Sequence, residues 1–228
     1  IEHSFHAQTF PMLLQKAGYQ TIHVGKAHLG AKDTPGENPM NLGFDVNVAG
    51  HASGGPGSYH GTNNFSAAWR NEDRIWDIPG LEKYHGQDIN LTEALTLEAN
   101  AEMDKAVNEK KPFYLYMSHY AVHVPYEADK RFLDKYKSFD MSNDMKIYAS
   151  MVESMDKSLG DIMHNIKRLG IKENTIIVFM SDNGSPSCST PNLPLKGHKG
   201  LAYEGGARVP VIVKWPGVTK ANTRNNEY

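Results

Sequence analysis

Residues 175–185, TIIVFMSDNGS, constrain the fold more than any other stretch of this chain. β-Branched and aromatic side chains follow one another without a polar interruption. That is the pattern of a strand buried on both faces, in a parallel sheet flanked by helices. The run stops at Asp182, Asn183 and Gly184, and α/β sheets gather their chemistry at the carboxyl ends of strands. Asp182 and Asn183 offer two hard oxygen donors to a metal ion, one charged and one neutral, while Asn-Gly is equally a strong hairpin signal.

The same alternation recurs along the chain. A helix is expected over residues 7–17, with Phe10, Leu13, Leu14 and Ala17 on one face and Gly18 as its stop. A strand over 20–24 then runs into GKAHLG, 25–30, a turn that lifts Lys26 and His28 to the sheet's carboxyl edge; a solvated surface turn explains the same residues. A second helix over Leu91–Asn108, entered through Thr92, delivers the strand Phe113–Ser118. Its end again bears a polar turn, SHYAVHVPYE, with His119 and His123 as candidates and Pro125 fixing the backbone beyond. A long helix is expected over 142–170, its apolar stripe formed by Tyr148, Met151, Val152, Met155, Leu159, Ile162, Ile166 and Leu169. After 175–185 come LKGHKGLAYEGGARVP, 195–210, with Lys196, His198 and Lys199 among glycines, and a last strand over 209–215. Strands alternating with helices indicate an α/β fold, a mostly parallel sheet flanked by helices.

Residues 33–88 break this rhythm. Gly, Pro, Asn and Ser are dense there, and residues 45–90 are expected to form a variable, loop-rich insertion. His60, Trp69, Arg70 and Trp76 suit recognition of a sugar or aryl group, and inward packing of the aromatics is the alternative.

Charge excludes some partners. Lys and Arg number 24 against 26 Asp and Glu, a net charge of −2, so neither nucleic acid nor an anionic membrane is expected as a partner. No apolar run is long enough to span a bilayer, no signal peptide is evident, and the opening at Ile1 suggests a piece of something longer. The single cysteine, Cys188, excludes an internal disulfide framework. Lys26, His28, His123 and Lys199 around Asp182 and Asn183 would together suit a small tetrahedral oxyanion, and hence transfer of a sulfuryl or phosphoryl group.

These motifs carry a family resemblance. GKAHLG resembles the GKWHLG motif of sulfatases, with Ala27 where tryptophan is usual. HYAVHVPYE, SDNG and GHKGLAYEGGARVP are similar to three further sulfatase motifs, in the same order. The resemblance implies an alkaline-phosphatase-like core over 1–228, a partial catalytic domain that hydrolyses a sulfate ester on a carbohydrate or aryl group. It implies that Asp182 and Asn183 bind a single calcium or magnesium, that Lys26 and His28 hold and polarise the nucleophile, and that His123 and Lys199 grip the sulfate. His123 would also protonate the leaving oxygen, and Arg208 would support its turn. The resemblance implies a periplasmic or secreted location.

The family's nucleophile is a formylglycine made within Cys/Ser-x-Pro-x-Arg, a pattern absent from these residues, since Cys188 is followed by Ser-Thr-Pro. The aspartate pair of the family's first strand is absent as well. Both are expected upstream, so the chain by itself is expected to be inactive, to bind metal poorly and to self-associate through an exposed sheet edge. Two other readings stay open: a phosphodiesterase or phosphonate hydrolase of the same superfamily, and a non-catalytic binder of sulfated ligands. Against a two-metal phosphatase, SDNGS supplies no extra histidine ligand.

Overall fold

The computed structural model describes residues 8–186 and 192–225, so Cys188 lies outside the described residues. It divides into two compact units, Ile1–Ile162 and Met163–Tyr228.

The first unit is built on a three-stranded parallel sheet in the order β2-β1-β3. Helix α1, Phe10–Lys16, starts where Thr9 Oγ1 accepts from Met12 N, and Pro11 occupies the first turn, where its missing N–H costs nothing. Strand β1, Gln20–Gly25, is buried along its whole length although half of it is polar. Thr21 and His23 are admitted because each meets a partner, whereas Gln20 Oε1 is buried without one. Thr21 Oγ1 donates to Gly43 O at 2.7 Å, and His23 Nδ1 lies 3.1 Å from Asn47 Oδ1. Strand β2, Val46–Val48, and strand β3, Phe113–Ser118, flank β1, with Gly25 opposite Ser118 at the carboxyl end.

Helix α2, Leu91–Asn108, buries Leu91, Leu95, Ala99 and Met103. Its cap is Asn90 rather than Thr92: Asn90 Oδ1 accepts from Thr92 N at 2.9 Å, because the acceptor belongs one residue before the first turn. A short helix, α3, covers Lys130–Leu133. Helix α4, Asn143–Arg168, buries Met151, Ile162 and Ile166 of the expected stripe and adds serines to it. Ser150, Met151, Ser154 and Ser158 are buried, whereas Val152 is 42% exposed. Serines four apart lie on one face and leave room for close approach, which a stripe drawn through apolar residues alone passes over.

Beyond β2, residues 49–90 are irregular and carry a series of 3₁₀ turns, yet they are not peripheral to the core. Ala49, Tyr59, Phe65, Ile78 and Leu81 join Ile22, Val24, Leu91 and Leu95 in one buried cluster. Trp69 and Trp76 stay at the surface.

In the second unit β4, Ile177–Met180, pairs antiparallel with β5, Val211–Lys214, matching Met180 with Val211. This corrects the expectation of a doubly buried strand over 175–185. Val178 is 56% exposed and Met180 59%. The pairing is antiparallel because, among the described residues, the return path contains one single-turn helix, α5, Glu204–Ala207, whereas a parallel crossover is usually carried by a full helix.

Candidate functional site

The first unit presents Lys26, His28 and His123 from two adjacent strand ends. Since β1 and β3 run parallel and in register to Gly25 and Ser118, GKAHLG and HYAVHVPYE leave the same sheet edge side by side. Gly25 makes this possible: its φ is 108°, and a β-carbon there would stand 1.9 Å from Ser118 O. The Lys26 backbone is then held on both sides. Its N–H donates to Ser118 O at 2.7 Å, and its carbonyl accepts from Ser118 Oγ at 2.7 Å. His23 Nε2 lies 3.3 Å from the same carbonyl. Burial drives the His23 pKa down to about 4, against the opposing pull of its bonds to Lys26 O and Asn47.

His28 stands at φ 49°, in the left-handed region that a residue with a β-carbon enters only when its surroundings hold it there. Its N–H donates to His51 O at 3.0 Å, and its side chain is exposed at the edge. His123 is half-buried, with Nδ1 3.0 Å from Val124 O. A carbonyl can only accept, so Nδ1 carries the proton and Nε2 is the atom that can give or take one. The two rings back onto neighbouring residues of one loop. A β-carbon on Gly54 would lie 2.7 Å from His28 Nδ1, and one on Gly55 would lie 2.8 Å from His123 Nδ1.

His119, the other histidine of that turn, faces inward. Thr96 Oγ1 donates to Thr92 O at 2.6 Å, so Ser158 Oγ must donate to Thr96 Oγ1 and accept from His119 Nε2, at 2.9 Å. Burial alone pulls the His119 pKa to about 4. The ring is a neutral structural donor, and its serine is not a base-activated nucleophile.

The second unit gathers Asp182, Asn183 and Lys199. Lys199 N donates to Ser185 O at 3.0 Å and Gly184 N to Gly206 O at 3.0 Å, so the SDNGS and GHKGLAYEGG turns are joined through their backbones. Gly184 sits so close that a β-carbon would be 1.8 Å from Gly205 O. Asn192 ties the turns again, its Nδ2 donating to Ser185 O and to Gly197 O, each at 3.2 Å. Lys196 lies over the Tyr203 ring at 4.1 Å, and Arg208 pairs with Glu204 at 3.6 Å. Asn183 Nδ2 donates to Gly184 O at 3.0 Å, which fixes the plane of its amide.

As a metal site this set is incomplete. A hard cation takes about six oxygen ligands, and Asp182 and Asn183 supply two side chains. Among the described residues no group of three or more His, Cys, Asp or Glu side chains could hold an ion.

Of the residues expected to recognise a sugar or aryl group, Trp69 is 49% exposed, with Nε1 donating to Gly57 O at 3.2 Å. His60 is half-buried, its Nε2 3.9 Å from Glu127 Oε1. Sequence reasoning passed over Ser118, Tyr59, Glu127, Asn192 and the Gly54-Gly55 pair. The glycine pair was visible as GGPG, but nothing in that string says which side chains it makes room for.

A sulfatase family model matches residues 2–228. The chain belongs to the sulfatase family. It is 32% identical over 220 residues to mouse N-acetylgalactosamine-6-sulfatase, an alignment that takes in 91% of this chain and 39% of the mouse protein. It is 30% identical over 251 residues to a sulfatase of Formosa agariphila, covering 93% of this chain and 45% of that protein. The chain therefore spans less than half the length of these relatives. Among solved structures, Ps i-CgsB in complex with k-i-k-neocarrahexaose superposes with a TM-score of 0.79 at 32% identity, over 93% of this chain and 48% of that one. The lipoteichoic acid synthase LtaP of Listeria monocytogenes, at 19% identity and a TM-score of 0.57, shares the fold alone. These matches favour the sulfatase reading over the phosphodiesterase one. Sulfatases generally use a divalent metal.

Proposed function

We propose that this protein is a sulfuric ester hydrolase whose substrate is a sulfated carbohydrate or an aryl sulfate. The observation that carries this reading is the pairing of His28 and His123 at one sheet edge, where two in-register parallel strands release the GKAHLG and HYAVHVPYE turns together. In this reading water cleaves the S–O bond overall, giving the free alcohol and sulfate. His123 Nε2 supplies the proton to the leaving oxygen, its Nδ1 being committed to Val124 O. Lys26 and His28 hold and polarise the nucleophile, Lys199 binds the anionic oxygens, and Asp182 and Asn183 would supply two ligands of a calcium or magnesium ion.

A carbohydrate ester is favoured because the mouse relative is named an N-acetylgalactosamine-6-sulfatase and one solved neighbour holds a neocarrahexaose. Trp69, exposed beside Arg70 and Gly57, and His60 would then form the rim that reads the sugar. A periplasmic or secreted location fits such a substrate.

The test is hydrolysis of a small fluorogenic aryl sulfate and of sulfated oligosaccharides by the complete protein. His123→Asn should lower kcat by about 10²- to 10⁴-fold, as expected for removal of a general acid. Trp69→Ala should change the preference among oligosaccharides while leaving the aryl substrate nearly untouched. Full activity in His123→Asn would rule out its role.

A further inference from the structure

The geometry points to residues 54–59 as a positioning element that sets His28 and His123 relative to one another, with Gly54 and Gly55 as its contact points and Tyr59 as its anchor. It rests on the sulfatase reading for its catalytic consequence and on contacts within one unit for its geometry.

The glycines are required for space rather than for conformation. Neither stands at a positive φ, yet a β-carbon on Gly54 would meet His28 Nδ1 at 2.7 Å and Cε1 at 2.8 Å. A β-carbon on Gly55 would meet His123 Nδ1 at 2.8 Å and Cε1 at 3.1 Å. Each ring is thus seated on a bare α-carbon, and adjacent α-carbons are about 3.8 Å apart. One rigid loop fixes where both rings can be.

The loop is in turn tied to the turn it serves. Tyr59 is 1% exposed, and its one hydroxyl proton is shared between the carbonyls of Tyr120, at 2.8 Å, and His123, at 3.0 Å, while its oxygen accepts from His123 N at 3.1 Å. Both backbone groups of His123 therefore meet one buried phenol. Burial raises the pKa of that phenol far above its ordinary value, so it stays a neutral hydroxyl that both donates and accepts. Glu127, four residues beyond His123, closes the circuit: its Oε2 accepts from Ser58 Oγ at 2.8 Å and from Tyr59 N at 2.6 Å. On the other side His28 N donates to His51 O, three residues before Gly54. The segment spans the gap between two motifs that are 95 residues apart in the sequence and has no catalytic group of its own.

The nearest obstacle an alanine would meet at either glycine is an imidazole ring, with Val124 O a further contact at 3.3 Å for Gly55, so the ring is what moves first. Ring ¹⁵N spectra of the histidine-labelled chain read this directly. In the unsubstituted chain His123 should show the Nδ1–H tautomer. Gly55→Ala should shift it to a mixture while leaving His28 as it was, and Gly54→Ala should move the His28 signals and leave His123. Gly160→Ala, in α4 with open space around it, should change neither ring. Tyr59→Phe removes one oxygen and should broaden or shift the His123 ring and amide signals, which keeps the test valid if a glycine variant fails to fold. In the complete protein, Gly55→Ala and Tyr59→Phe should lower kcat for an aryl sulfate by on the order of 10- to 100-fold with KM changed much less, since misplacement of a reacting group acts on the chemical step. Ring signals unchanged in Gly55→Ala and Tyr59→Phe would overturn the inference. Shifted rings with unchanged kcat would uphold the positioning and overturn the catalytic role given to His123.

Discussion

Strand β1, QTIHVG, and strand β4, IVFM, invert what their compositions suggest. The half-polar strand is buried at every position, and the wholly apolar one is exposed at three of four. The difference lies in neighbours. β1 has a strand on each side, α2 among the elements packed against it, and a hydrogen-bond partner for each of Thr21 and His23. β4 has β5 beside it and no other paired strand among the described residues. Apolarity states what a strand gains from burial, and the surrounding layers decide whether it is buried.

The sharpest test of this comparison is truncation in each strand. Ile22→Ala, at a fully buried site, should destabilise the fold by about 2–5 kcal/mol, the range for large-to-small changes in a packed core. Val178→Ala, at a site 56% exposed, should cost about 0.5 kcal/mol or less. Urea unfolding of the two variants measures both, and equal costs would break the contrast.

Acid should strike the buried polar groups next. The pKa values of His23 and His119 fall from 6.5 to about 4, so between those values the unfolded chain binds protons that the folded one does not. Stability contributed by keeping these rings neutral is therefore complete above about pH 6.5 and is lost as pH falls toward 4, by up to about 3 kcal/mol per ring. Thermal melts between pH 7 and pH 4 should show it, and His119→Gln should flatten the profile by removing one ring's share.

A smaller effect is expected at the surface of the second unit. Exposed apolar strands with free edges promote association, so the chain should self-associate as its concentration rises. Val178→Lys together with Ile212→Lys should weaken that association in sedimentation, and no change would locate the contact elsewhere.

The smallest expected signal is the heat of calcium binding. With two ligand side chains from Asp182 and Asn183, calorimetric titration of this chain should find no site tighter than about 10⁻⁴ M. Micromolar binding would mean that the second unit holds a complete site.

The sequence by itself determined the order of elements and the turns at which they end. Helix α2 and strand β3 match their sequence-based limits to the residue, and the turns bearing Lys26, His123, Asp182 and Lys199 were legible because Gly, Pro and polar residues interrupt apolar runs there. Those are local signals, written in side-chain periodicity and in the backbone demands of a few residues. Tertiary structure alone decided that Gly54 and Gly55 make room for two histidine rings, that Tyr59 holds His123 by its backbone, and that α4 buries Ser150, Ser154 and Ser158 beside Met151. It also decided that β4 pairs antiparallel and stays exposed. Each of these depends on which distant residue occupies the neighbouring space, and excluded volume and hydrogen-bond reach act between atoms, over distances that separation along the chain does not encode.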